Sequence, residues 1–147
     1  MKLIIGADHA GYELKEKLKP WLASLGHEVV DVGAYVLDTE DDYPDFVKPL
    51  VEEVLKDHNE IRGVFCAGSG EGEGIAANRN AHIRAVVYNS NDLALIERTR
   101  VDNNSNVLCI GSRFVNEEEA KQAIEKWLAT PFDSASRHAR RLAKIDK

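Results

Sequence analysis

The chain has 147 residues, 44% of them hydrophobic and 30% charged, a size and balance that fit one globular domain with a real core, spanning 1–147. A net charge of −6 argues against general nucleic-acid binding. No apolar run is long enough to span a bilayer, and the N-terminal stretch reaches an acidic residue, Asp8, too early for a secretory signal, so no membrane partner and a cytoplasmic location are expected.

Short apolar runs alternate with stretches of helical spacing. Lys2 to Ala7 reads as a first strand. Leu14, Leu18, Trp21, Leu22 and Leu25 then recur at helical intervals, with Pro20 as a candidate kink and Gly26 as the stop. A second strand is expected over Glu28 to Gly33, then a helix over Asp45 to Asp57 whose apolar stripe is Phe46, Leu50, Val51 and Val54. Further strands are expected at Gly63 to Ala67, Arg84 to Tyr88 and Asn106 to Gly111, with helices near 75–80, 91–100 and 117–129. A last helix is expected from Asp133, a residue suited to an N-cap. Continuous apolar strands alternating with helices imply a parallel sheet covered on both faces. The expected fold class is therefore α/β: a single doubly wound, Rossmann-like sheet of five strands. Ligands in such folds bind beyond the carboxyl ends of the strands. Those ends carry Asp8 and His9, Gly33, Gly68 to Gly74, Asn89, and Arg113.

The densest motif follows the third strand. Gly68, Gly70, Gly72 and Gly74 alternate with Ser69, Glu71 and Glu73. Such glycines let a backbone turn tightly and bring its N–H groups close to an anion. It is not the dinucleotide fingerprint, whose third glycine would fall on Glu73, nor a Walker loop, which would end in lysine. A carboxylate in an anion cradle does not help binding. It is better explained as a base beside a developing negative charge, although a plain strand-to-helix turn is the simpler alternative. Ser69 can help to stabilise an oxyanion, but Ala67 stands where the serine-hydrolase elbow needs glycine.

Other residues admit two readings. Asp8 is placed either to cap the next helix or to face a ligand. Asp102, Asn103 and Asn104 read as a polar turn. Cys66 and Cys109 sit in apolar runs as small buried hydrophobes, with a catalytic role for Cys66 to be weighed because it lies next to the glycine loop. The acidic stretch from Asp38 to Glu60 contrasts with a basic C-terminal helix carrying Arg137, Arg140, Arg141, Lys144 and Lys147. Arg137 and Arg141 share a helical face, with His138 beside them. Few acidic neighbours in sequence favour phosphate over salt bridges as their partner, and arginine's planar fork suits phosphate. The five histidines lack paired metal-ligand spacing, so no metal is expected.

Together these residues resemble a known family over nearly the whole chain. The segments Gly6 to Gly11 (GADHAG), Asp42 to Phe46 (DYPDF), Gly68 to Asn78 (GSGEGEGIAAN), Asn106 to Arg113 (NVLCIGSR) and Arg137 to Arg141 (RHARR) are similar to those of type B ribose-5-phosphate isomerases and galactose-6-phosphate isomerase subunits. The resemblance implies a cofactor-free aldose–ketose isomerase of a phosphosugar. One version of the family uses a cysteine directly before the Gly-Ser/Thr-Gly, a position held here by Ala67; the other uses a glutamate that matches Glu73. Glu73 is thus implied as the base, and Cys66 is demoted to the strand. The resemblance also implies a homodimer, or a tetramer of such dimers, in which the partner chain lends its C-terminal arginines to the site. Many members carry a histidine that helps to open the sugar ring; this chain has Asp102 there.

The expected roles follow. Glu73, Ser69, Asp8 and Asp102 are candidates for the chemistry. His9, Tyr43, the four loop glycines, Asn103, Arg113, Arg137, His138 and Arg141 are candidates for holding the phosphosugar. The rival reading is a non-catalytic sugar-phosphate or nucleotide-binding module on the same fold.

Overall fold

The computed structural model describes residues 1–145, so Lys147 of the expected basic helix lies outside the described residues. The described chain runs β1 (Lys2–Ala7), α1 (Tyr12–Ser24), β2 (Glu28–Asp31), α2 (Pro44–Leu55), β3 (Arg62–Ala67), α3 (Glu71–Ala77), β4 (Ala85–Tyr88), α4 (Leu93–Asn103), β5 (Val107–Gly111), α5 (Glu117–Ala129) and α6 (Arg137–Leu142). The five strands form one parallel sheet in the order β2-β1-β3-β5-β4. The chain first winds outward from β1 to β2, then returns to the other side of β1 as β3. The order therefore reverses between β1 and β3, where a doubly wound sheet opens its crevice.

Alternation along each strand divides the core. Leu3, Ile5, Val64, Cys66, Leu108 and Ile110 pack under α1, α4 and α5, with Leu18, Ile96 and Trp127 opposite them. Ile4, Phe65, Val107 and Cys109 face α2 and α3, against Leu50, Val54 and Ala77. The two cysteines therefore lie on opposite faces of the sheet, and both are free. Pro20 sits inside α1 without ending it.

Three boundaries differ from the sequence expectation, each for a local reason. Gly70 adopts the left-handed conformation (φ 84°), which starts α3 at Glu71 instead of near residue 75. Glu71 and Glu73 thus belong to a helical first turn, not to a loop. Helix α4 runs on to Asn103 and is closed by left-handed Asn104, so Asp102 and Asn103 end a helix instead of forming a turn. Asp133 does not cap α6. Its carboxylate accepts the Ala135 N–H in a turn, and the helix begins after Ser136.

One close approach fixes the site's geometry. Gly11 stands at the head of α1, and a Cβ built on it would lie 2.0 Å from the carbonyl carbon and oxygen of Cys66. Those are backbone atoms of a central strand, so no side-chain motion relieves the clash. Gly11→Ala should cost more than the roughly 1–3 kcal/mol of an ordinary overpacked core. Urea unfolding measures this, and an unchanged midpoint would mean that α1 can slide off β3.

Candidate active site

At the carboxyl edge of the sheet, Asp8 and His9 leave β1, the glycine loop leaves β3, and Arg113 follows β5. Asp8 is 6% exposed, and its Oδ1 accepts the Gly11 N–H at 3.0 Å. That bond goes to Gly11, the N-cap residue, and no side chain caps α1, so Asp8 braces the turn into the helix instead of capping it. Glu73, in the first turn of α3, is only 5% exposed. Burial pushes its carboxyl above the usual carboxylate range, and the charge of Asp8, a side-chain hydrogen bond with Asp8 and the charge of Glu71 push the same way. Burial also raises the Asp8 carboxyl, against the hydrogen bond from Gly11. Two desolvated carboxyls in contact cannot both ionise cheaply, so one of them keeps its proton to a higher pH than an ordinary carboxyl does. A base with that property takes and returns a proton efficiently.

The surrounding groups are held by the backbone. Ser69 Oγ accepts the Glu71 N–H at 3.3 Å, and Asn89 ties the loop down by donating to the Ser69 carbonyl (3.2 Å) and to Glu71 Oε1 (3.0 Å). The glycine identities have steric causes. A Cβ at Gly68 would meet the Arg113 guanidinium at 3.1 Å, and one at Gly72 would meet the Tyr43 ring and hydroxyl at 3.0 Å. These glycines let a cation and a phenol lie against the loop. Gly74 faces Val87 and packs α3 onto β4. His9 Nδ1 lies 2.6 Å from Asp41 Oδ1, and that hydrogen bond raises the imidazole's pKa. Cys66 is fully buried under α1, and burial pushes its thiol far above the ordinary range, which leaves it no thiolate for chemistry.

The remaining expected residues lie elsewhere. Helix α4 starts beyond the carboxyl end of β4 and runs back to the amino end of β5, so Asp102 and Asn103 sit at the opposite edge of the sheet from Glu73. Helix α6 packs on α4 there, with His138 Nε2 3.6 Å from Asp102 Oδ1. Arg98 stands 4.0 Å from the same oxygen. Arg137, Arg140 and Arg141 are exposed and make no ion pair among the described residues. One chain therefore unites Asp8, His9, Tyr43, the glycine loop, Glu73 and Arg113. It gathers Asp102, Asn103, Arg137, His138 and Arg141 separately. Asp41 and Asn89 are site residues that sequence reasoning did not select. Among the described residues no group of three or more His, Cys, Asp or Glu is arranged to hold a metal, and no helix is long and apolar enough to cross a membrane.

The ribose/galactose isomerase family model matches residues 3–145. The chain belongs to this family of aldose–ketose isomerases. Its relatives include ribose-5-phosphate isomerase B of Mycobacterium tuberculosis, 37% identical over 97% of this chain and 86% of that protein. A putative sugar phosphate isomerase of Rickettsia typhi is 35% identical over 97% of this chain and 96% of that protein. Among solved structures, ribose-5-phosphate isomerase B of Thermotoga maritima is 39% identical with a TM-score of 0.90, covering 99% of this chain and 97% of that one. The Mycoplasma genitalium enzyme, solved with bound ribulose 5-phosphate, is 33% identical with a TM-score of 0.93, covering 99% of this chain and 93% of that one.

The two carboxyl-edge candidates for the base separate cleanly by mutation. Glu73→Gln should lower the isomerisation rate by about 10²–10⁴, the usual weight of a general base, while Cys66→Ala keeps near-normal turnover. The sign of the accompanying stability change also follows. The folded state holds the Glu73 proton more tightly than the unfolded chain does, so this carboxyl costs stability as pH rises above its ordinary value. Glu73→Gln removes that cost, and its melting temperature should match or exceed that of the native protein at neutral pH. An inactive Cys66→Ala beside an active Glu73→Gln would reverse the assignment.

Proposed function

We propose that the chain interconverts an aldose and a ketose phosphosugar, ribose 5-phosphate and ribulose 5-phosphate or a related pair, without a cofactor and with Glu73 as the base. The observation that carries this reading is the buried Glu73 carboxyl beside Asp8, held above the usual carboxylate range by that burial and flanked by a glycine loop. For the open-chain aldose, Glu73 takes the proton from C2. The C–H electrons form the C1–C2 double bond of an enediolate, and the C1 oxygen gains negative charge. The same carboxyl returns the proton to C1, while the proton of the C2 hydroxyl passes to the C1 oxygen, so that C1 becomes a hydroxymethyl group, C2 becomes the ketone and the carboxylate is regenerated. Ser69 and the backbone N–H groups of the loop stabilise the developing oxyanion. Arg113, His9, Arg137 and Arg141 hold the phosphate, so that binding energy far from the reacting carbons positions them.

The two clusters at opposite edges of the sheet favour a homodimer in which each site takes Glu73 from one chain and Arg137, His138 and Arg141 from the other. The α6 arginines, which make no ion pair among the described residues, complement the acidic stretch that begins at Asp38. This has a direct test. Glu73→Gln and Arg137→Ala chains, each inactive alone on a phosphosugar, are mixed and refolded together. Half the dimers are hybrids, each with one intact site, so about a quarter of native activity should return. No recovery would mean that every site is built from one chain.

Asp102 is proposed to set the choice of sugar. A histidine there donates a proton to the ring oxygen near neutral pH, whereas an aspartate mainly accepts. An accepting group favours a sugar with a hydroxyl at that place. The native protein should therefore act modestly on ribose 5-phosphate and better on another aldose or ketose phosphate, and Asp102→His should shift preference toward ribose 5-phosphate. A substrate screen checks it. If ribose 5-phosphate already ranks first and Asp102→His leaves the ranking unchanged, Asp102 has no such role. Failure of all phosphosugars, with retained binding, would favour the sugar-phosphate-binding module instead.

A further inference from the structure

The His9–Asp41 contact joins segments 32 residues apart, and three observations make it more than a surface ion pair. The Asp41 side chain is only 6% exposed, while the imidazole is 31% exposed. The carboxylate has lost its water, and the ring keeps an open side. The second carboxylate oxygen, Asp41 Oδ2, is buried with no hydrogen-bond partner among the described residues. An orphan oxygen on a desolvated carboxylate is costly and calls for an explanation. Finally, the local backbone presents this side chain. The Asp38 carboxylate accepts the Glu40 N–H, and the Asp41 N–H donates to the Asp38 carbonyl, which folds 38–41 into a turn.

A simple staple of the β2–α2 connection to β1 is not needed at this point. Ala7 N–H already donates to the Gly33 carbonyl at 2.7 Å, and Ala34 N–H to the Ala7 carbonyl at 2.8 Å. We propose that Asp41 is a positioning residue that acts through His9. By accepting a hydrogen bond from Nδ1–H it holds the ring as a cation, with Nε2–H left for the anionic group of the substrate. A neutral ring bonded to Asp41 through Nδ1–H would offer only a lone pair at Nε2, which repels an anion. A cationic ring offers a charge-assisted donor in the neighbourhood of Arg113, and so adds a second cation on this chain. The charged groups that face His9 are Asp41 from the β2–α2 connection, Asp8 beside it on the tail of β1, and Arg113 from the tail of β5. Asp41 and Asp8 favour the cation, Arg113 opposes it, and the net direction is upward with the Asp41 hydrogen bond as the largest cause.

The proposal rests on the phosphosugar reading only for the identity of the anion, and it is tested without turnover. Inorganic sulfate serves as the probe, because it stays dianionic across the histidine range. The His9 ring resonance is titrated by NMR in native protein and in Asp41→Asn, with and without sulfate. In the native protein the midpoint should lie above the ordinary histidine value and rise further with sulfate. In Asp41→Asn the midpoint should fall. Sulfate should then bind several-fold more weakly on the alkaline side of the titration and equally well on the acid side, with Asp41→Glu restoring much of the affinity. A structural staple would lower the melting temperature but leave the pH dependence of sulfate binding unmoved. A native midpoint at or below the ordinary value overturns the proposal even if Asp41→Asn fails to fold. Unchanged alkaline sulfate affinity in a folded Asp41→Asn also overturns it. Loss of turnover on every phosphosugar, with the sulfate and midpoint shifts intact, would refute the isomerase reading and leave the His9–Asp41 pair standing.

Discussion

The geometry of the site depends on how tightly β1 and β3 end side by side. The strands pair in parallel with Ala7 opposite Cys66, and Gly11 then turns the chain against the Cys66–Ala67 backbone with no room for a side chain. Both tails therefore leave the sheet at the same level and in contact. Asp8, one residue past β1, is delivered beside the first turn of α3, which follows β3 after only a few residues. Two carboxyls from distant parts of the chain are thereby forced together where water is scarce. A looser approach would admit water, lower both pKa values and remove the proton affinity on which the proposed chemistry depends.

This arrangement works against the fold and for the site. Desolvation of Glu73 and Asp8 disfavours their charged forms in the native state alone, so the native state is penalised at pH values where the unfolded chain would ionise freely. The deficit is offset elsewhere, by a sheet whose inner strands are almost wholly apolar on both faces. Several local rules are broken together at this edge: glycines inside a helix, a left-handed Gly70 at its head, and two buried acids in contact. Breaches gathered in this way are expected at a functional site.

Much of this was legible in the sequence, and what was not has physical reasons. The strands were legible because strands buried on both faces are continuous apolar runs, as Val64 to Ala67 and Val107 to Ile110 are. The start of α3 was hidden because helical propensity argues against Glu-Gly-Glu-Gly, while contacts with Tyr43, Val87 and the Cys109 carbonyl override it. The end of α4 was hidden because Asp and Asn favour turns in isolation, whereas Asp102 sits in a turn of helix that α6 covers. Glu73 was selected from its setting among glycines, and the resemblance chose it over Cys66; the depth at which Cys66 lies gives that choice an independent cause. Asp41 and Asn89 were missed because their roles rest on contacts across 32 and 18 residues of sequence, and an acid within an acidic stretch reads as a solvated face.

The separation of the two clusters bears on why this chain would act as a pair. Strand polarity sends α4 away from the carboxyl edge, so Asp102 and the α6 arginines that pack near it are bound to emerge at the other end of the sheet. No rotamer change moves a side chain through the thickness of a domain. A two-fold axis removes the difficulty, because each chain presents both edges and an isologous contact satisfies both at once. On the proposed reading, the phosphate clamp is then assembled only when two chains meet. Activity becomes linked to association, and a ligand that bridges the two chains strengthens the contact by mass action. The exposure of the α6 arginines, which make no ion pair among the described residues, fits that arrangement.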